Sequence, residues 1–221
     1  MTTAAKPVSL AGSQLGEGEA RHVCAFFNSY DDEYRVLLPF IKSGFESGDK
    51  AIHVVSPDQQ RDHLQRLVGA GIDPAAAQQS GQLELRTNTD TYLQEGRFDP
   101  DRMLAVFEQL ANDKPPGSFA INRIVCHMDW AIEGSSHVAS LVEFESRVNE
   151  VWRRHDDAVI CTYALDKFGG ETVIDIMRTH PMIIIGGVLL QNPFFVPPEV
   201  FLPELRERRA ARRTATPQTA T

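Results

Sequence analysis

The chain has 221 residues, 42% of them hydrophobic and 24% charged, which suits one sizeable domain with a real core. Its net charge of −8 argues against a nucleic-acid binder over the whole surface and leaves room only for a local basic patch. Three cysteines with no CxxC pair exclude a disulfide framework and a zinc ribbon.

In chain order, residues 1–20 are rich in Ala, Ser, Thr and Gly and are expected to be disordered. This opening lacks the apolar core of a signal peptide, and no run reaches the about 20 apolar residues that a membrane helix needs. A cytoplasmic location is the expectation. Residues 22–27 read as a strand, and 31–48 as a helix with an acidic start and a stop at Gly48. A second strand follows at 50–55. The helix over 56–71 has Ser56 as its cap and Pro57 in its first turn.

The alternation continues with a short strand at 81–86 and a helix over 99–114 capped by Asp99. A strand lies within 118–130, a long helix over 136–155 and a strand over 157–165. The helix at 169–180 ends at Pro181. The run from Met182 to Leu190 is too short to span a bilayer and bends at Gly186-Gly187, so it predicts a buried strand and a hairpin return. Phe194 and Phe195 would then cover an edge. Apolar β-branched strands separated by amphipathic helices predict an α/β fold, mainly a parallel sheet with helices on both faces and a C-terminal strand pair. The expected organisation is a folded unit over 21–203 and a basic, flexible tail over 204–221 that opens with a helical turn or two.

Open α/β sheets bind ligands at the carboxyl ends of their strands. The turn after the first strand has no glycine and no lysine, and it carries Asp31, Asp32 and Glu33. These acids suit the start of a helix and would repel a triphosphate. A GxGxxG and a GxSxG elbow are also missing. Asp129 follows a strand as a magnesium-positioning acid would, a weak signal by itself. A metal set of His22, His53, His180 and Cys161, with His22 and His53 on strands expected to be adjacent, lacks ligand-type spacing. No metal site, catalytic residue or cofactor is assigned, and the chain is read as non-enzymatic.

One residue breaks the apolar stripe Val138, Leu141, Val142, Val148, Trp152, and that is Glu145. A carboxylate on a buried face needs a partner. The structural choice is an arginine such as Arg123, Arg147 or Arg178, and the functional choice is a ligand, with Glu143 as a companion. Trp130 is either a pocket wall or core. Cys161 and Tyr163 alternate along one strand and share a face, and His180 is either a helix cap or a ligand contact.

The stretches 22–67, 126–134 and 141–151, then 158–165, 177–187 and 191–198, resemble in order those of the MEDS domain. That sensory domain is named from methanogens, methylotrophs and the regulator of dichloromethane metabolism. The resemblance covers residues 20–202. It implies a fold related to the RecA/KaiC-like class without a functional Walker A loop. It also implies a sensory role in signal transduction, with a simple hydrocarbon derivative or one-carbon compound as the ligand. Its motif positions fall on His22, Glu33, Trp130, Glu143, Glu145, Cys161, Tyr163, His180 and Asn192. Where relatives carry Gly-Glu-Met before the tryptophan, this chain has Cys126-His127-Met128-Asp129.

No effector segment fits in the remaining residues, so the expected partner is a separate kinase, anti-sigma factor or transcription regulator. Self-association is left open, and neither a membrane nor a nucleic acid is expected as partner. Alternatives are an interaction module with an empty site, a residual nucleotide binder, and a nucleic-acid contact through Arg206, Arg208, Arg209, Arg212 and Arg213.

Overall fold

The computed structural model describes residues 21–112, 117–133 and 135–215. The segment 1–20, expected to be disordered, lies outside the described residues. The strands are β1 (His22–Phe27), β2 (Lys50–Val55), β3 (Leu83–Thr87), β4 (Asn122–His127), β5 (Ala158–Ala164), β6 (Met182–Ile185) and β7 (Val188–Gln191). They form one sheet in the order β3-β2-β4-β5-β1-β6-β7. Each neighbouring pair is parallel except β6 with β7, which run antiparallel.

The helices are α1 (Tyr30–Ser47), α2 (Gln60–Gly69), α3 (Pro74–Gln79), α4 (Asn88–Thr91) and α5 (Pro100–Asn112). They are followed by α6 (Ser135–Arg147), α7 (Asn149–Trp152), α8 (Gly170–Thr179) and α9 (Pro198–Ala215). Alternate strand residues feed two cores, as the period of two demands. On one face Val23, Ala25, Val125 and Ile160 meet Leu37, Phe40 and Ile41 of α1 and Leu67 of α2. On the other, Cys24, Phe26, Cys126 and Cys161 meet Phe107 of α5, Leu141 of α6 and Phe201 of α9.

Local chemistry sets most boundaries. Ser29 caps α1 by accepting from the Asp32 amide at 3.2 Å, and Gly48 ends it with a left-handed φ of 77°. Asp99 accepts from the amides of Asp101 and Arg102 at the start of α5. The β6–β7 hairpin turns on Gly186 and Gly187 with φ of 58° and 78°, the two positive values that a type I′ hairpin turn requires. Phe194, expected to cover an edge, is 59% exposed.

Two expectations are revised. The single helix over 136–155 is interrupted at Val148. There the Asn149 amide donates to the carbonyls of Glu145 and Ser146 at 3.0 and 3.1 Å, competing with the backbone for these acceptors. The tail from residue 204, expected to form a helical turn or two and otherwise to be flexible, belongs to α9, which runs to Ala215. Leu205 is buried, Arg208 pairs with Asp175 of α8 at 2.8 Å, Arg209 pairs with Glu143 of α6 at 2.9 Å, and Arg212 pairs with Glu171. Those arginines are thus engaged with acids of their own chain. Residues 216–221 lie outside the described residues. Among the described residues no helix is long and apolar enough to cross a membrane.

Candidate functional site

The carboxyl edge between β1, β4 and β5 is where this fold would place a nucleotide. Here it is filled by the chain's own side chains. Asp129, just past β4, accepts from Lys167 Nζ at 2.7 Å, from Tyr30 Oη at 2.9 Å and from the Ala164 amide at 3.2 Å. The acid that could position a magnesium ion is therefore held by an ammonium, a phenol and an amide. The adjoining α1 start presents Asp31 and Asp32 where a phosphate would need bare amides.

The predicted polar residues meet elsewhere. They were expected at the carboxyl edge, yet they lie inside the core of one sheet face, beneath α6. The pleat points His22, Cys24 and Phe26 of β1 to the same face as Cys161 and Tyr163 of β5, with Cys24 opposite Cys161 in register. Glu145 hangs from α6 above them, and His180 follows the last turn of α8. His22, Glu145 and His180 have no exposed surface, and Cys161 and Tyr163 are buried.

The hydrogen bonds fix both imidazoles. Asn149 Nδ2 donates to three carbonyls, those of Glu145, Ser146 and Thr179, at 2.7 to 3.1 Å. This leaves its Oδ1 facing His22 Nδ1 at 3.1 Å. An amide oxygen only accepts, so His22 Nδ1 carries hydrogen. His180 Nδ1 lies 2.8 Å from the Ile176 carbonyl and donates to it. Both Nε2 atoms consequently face Glu145 Oε2, at 3.2 Å from His22 and 3.5 Å from His180.

Cys161 Sγ completes the group, 3.6 Å from His22 Nε2 and 3.9 Å from Glu145 Oε2. Tyr163 donates to the other carboxylate oxygen at 2.7 Å.

Burial alone would raise the Glu145 carboxyl, but His180 and His22 hold it well below the usual carboxylate range. Burial, then repulsion from His180, lowers His22 against the pull of Glu145. Burial first and the Glu145 charge second push the Cys161 thiol and the Tyr163 phenol well up. Both therefore keep their protons beside the carboxylate. The arginines that were the structural choice for Glu145 are engaged elsewhere: Arg123 with Asp49, Arg147 with Asp101, and Arg178 with Glu204.

The remaining predicted residues separate. Asn192 supports the cluster from outside, since its Nδ2 donates to the carbonyls of Met177 and His180 at 2.6 and 2.7 Å. Glu143 lies at the surface between Arg147 and Arg209. Trp130 belongs to an aromatic core, stacked on Tyr92 with ring centroids 4.8 Å apart. Glu33 is on the opposite face of the sheet, paired with His127 at 2.9 Å. His53 is on that face too. Its strand β2 lies between β3 and β4, so it is not adjacent to β1 as expected.

Sequence reasoning missed Asn149, although it lies four residues after Glu145 and so shares its helix face. It also missed the second histidine cluster. There Tyr34 Oη bonds His63 Nδ1 at 2.6 Å, and His63 Nε2 bonds His53 Nδ1 at 2.8 Å. His127 reaches Gln59 Oε1 and Glu33 Oε1 with its two nitrogens. Burial opposes charge on His127, yet Glu33 raises it above the ordinary value.

The model of one protein family, MEDS, described as the "MEthanogen/methylotroph, DcmR Sensory domain", matches residues 21–181. Among solved structures, a KaiC-like protein from the hyperthermophilic archaeon Pyrococcus horikoshii OT3 superposes with a TM-score of 0.51 at 12% identity. The match covers 76% of this chain and 71% of that one, and it establishes likeness of fold. No curated protein matches the sequence.

Proposed function

The chain belongs to the MEDS family of sensory domains, and from that premise we propose that it is a non-enzymatic signalling module whose input is taken at the buried cluster around Glu145. The proposed input is a small organic molecule of the simple-hydrocarbon or one-carbon class. The observation that carries the reading is the cluster itself. A carboxylate, two imidazoles, a thiol and a phenol share one buried site, an expensive arrangement that packing alone does not need. The site also joins several elements. Glu145 belongs to α6 and His180 to the α8–β6 turn, and α9 is latched to α6 and α8 through Arg209 and Arg208. A change at Glu145 would thus reach the surface that α9 covers.

Native mass spectrometry of the wild type and of Glu145→Gln tests this. We expect a small adduct, or a shift on adding candidate one-carbon compounds, in the wild type and not in the folded variant. Identical spectra for both, with and without those compounds, would remove the cluster from ligand sensing.

A second reading is favoured by a different observation. The β6–β7 hairpin forms one edge of the sheet and leaves Ile185, Val188, Leu190 and Phe194 47 to 59% exposed. An apolar edge of this kind suits addition of a partner protein's strand. On this reading the chain is an interaction module, and a Val188→Lys variant would lose partner capture while keeping any adduct.

A further inference from the structure

The polar cluster has a mismatch that points beyond the sensory reading and does not depend on it. With both Nδ1 atoms committed as donors, the Nε2 atoms of His22 and His180 offer lone pairs when neutral. They converge on Glu145 Oε2, which also only accepts when ionised. His180 Nε2 is buried without a hydrogen-bond partner. The Cys161 thiol has a single hydrogen to share, and Tyr163 serves the other carboxylate oxygen. With both imidazoles neutral, acceptors therefore outnumber donors in a site with no exposed surface at His22, Glu145 or His180. A positive species between these atoms would resolve the conflict.

We propose that His22, Glu145, Cys161 and His180 bind one divalent transition-metal ion of the zinc class. One potential ligand atom from each residue lies within 4.8 Å of all the others, a spread that a small rotation of side chains would close around an ion. Two imidazole nitrogens, a carboxylate oxygen and a thiolate sulfur form the mixed N/O/S set that favours tetrahedral zinc over magnesium or calcium. Charge also balances. On binding, the Cys161 thiol gives up its proton to solvent, and the thiolate with the Glu145 carboxylate neutralises the two charges of the ion.

The surroundings resemble the outer shell of a metal site. Asn149 Oδ1 and the Ile176 carbonyl hold the Nδ1 hydrogens and aim each Nε2 inward, as metal-bound imidazoles require. Tyr163 steadies the carboxylate. In the second histidine cluster, on the opposite face, the contacts of Tyr34, His63 and His53 can alternate donor with acceptor, and His127 meets two acceptors with its two nitrogens, as a protonated imidazole does.

The test is cobalt(II) titration of the full chain after removal of metals by a chelator, with folding followed by circular dichroism. The expected result is one equivalent bound, with the visible bands of tetrahedral cobalt and a near-ultraviolet thiolate-to-cobalt band, both abolished by added zinc. Cys161→Ser should lose the thiolate band, and His180→Asn should lose stoichiometric uptake. Asn149→Ala should weaken binding by roughly 10- to 100-fold. Cys126→Ser removes a thiol that is next to Cys161 in the strand register and should change nothing. A folded wild type that gives no cobalt spectrum overturns the proposal. So does a thiolate band that survives Cys161→Ser or disappears in Cys126→Ser. Because the readout is metal uptake by the isolated chain, loss of the sensory reading would leave these spectra unchanged, and their failure would leave ligand sensing to be judged by the mass measurement.

Discussion

The two faces of the sheet each bury a histidine cluster, and the clusters handle protons in opposite ways. On the α1–α2 face, Tyr34, His63 and His53 form a chain in which each donor meets an acceptor, and His127 donates to both Glu33 and Gln59. On the α6–α8 face, Glu145 and two Nε2 atoms confront one another as acceptors. The comparison teaches that burial of polar groups does not by itself mark a functional site. A matched network stabilises a core, whereas a mismatched one retains the capacity to bind something.

Acid is expected to produce the largest effect, and two of the three lowered histidines lie on the matched face. Burial, with repulsion from neighbouring imidazoles, lowers His53 to about 3 and His63 to about 2, from an ordinary value of 6.5. Their neutral forms are favoured in the folded state. The stability they contribute is present above about pH 6.5 and is lost as the pH falls toward 3, by about 1.4 kcal/mol per pH unit for each histidine. His127 has the opposite sign, because its raised value favours the charged form. Its contribution is present below pH 6.5 and is lost as the pH rises through its folded value. Denaturant melts from pH 4 to 8 should therefore show maximal stability near neutrality, and a flat profile below pH 6.5 would contradict the matched network.

Next in size is Glu145→Ala in metal-free protein. Removing the carboxylate leaves the buried Tyr163 hydroxyl without its acceptor, which is expected to cost about 1–3 kcal/mol. Glu145→Gln should cost far less, because its amide can donate to an Nε2 atom. Equal losses for the two substitutions, measured by urea unfolding, would mean that the carboxylate is held by protonated imidazoles and that the mismatch is absent. Glu33→Gln on the other face should cost about 1–3 kcal/mol, the loss of a charged hydrogen bond to His127, and should not alter cobalt uptake. The smallest expected change is for Arg208→Ala. Its partly exposed pair with Asp175 is worth about 0–1 kcal/mol, visible as faster hydrogen exchange in α9 with little shift in global stability.

The alternation of β-branched strands and capped helices was legible because it rests on local rules. Ser29, Gly48, Asp99 and the Gly186-Gly187 pair each set a boundary through their own backbone or side chain. The break at Val148 was not legible, since it depends on where the Asn149 amide finds its third acceptor, the Thr179 carbonyl of another helix. The helix over 198–215 was legible only as a basic turn or two after residue 204, and its arginines hid how firmly it is packed. They read as a solvated tail until the acids of α6 and α8 are placed opposite them.

The same division holds for the site. By itself the sequence determined that no phosphate loop follows β1, that Glu145 lies within an apolar helix face, and that Cys161 and Tyr163 share one side of a strand. Each follows from residue type and a period of 2 or 3.6 residues. Only the tertiary structure decided that Glu145 meets His22 and His180 rather than an arginine, and that His53 is turned to the opposite face. Strand order and register made those choices. His22 comes 123 positions before Glu145, yet their side chains lie 3.2 Å apart, a proximity that no spacing along the chain encodes.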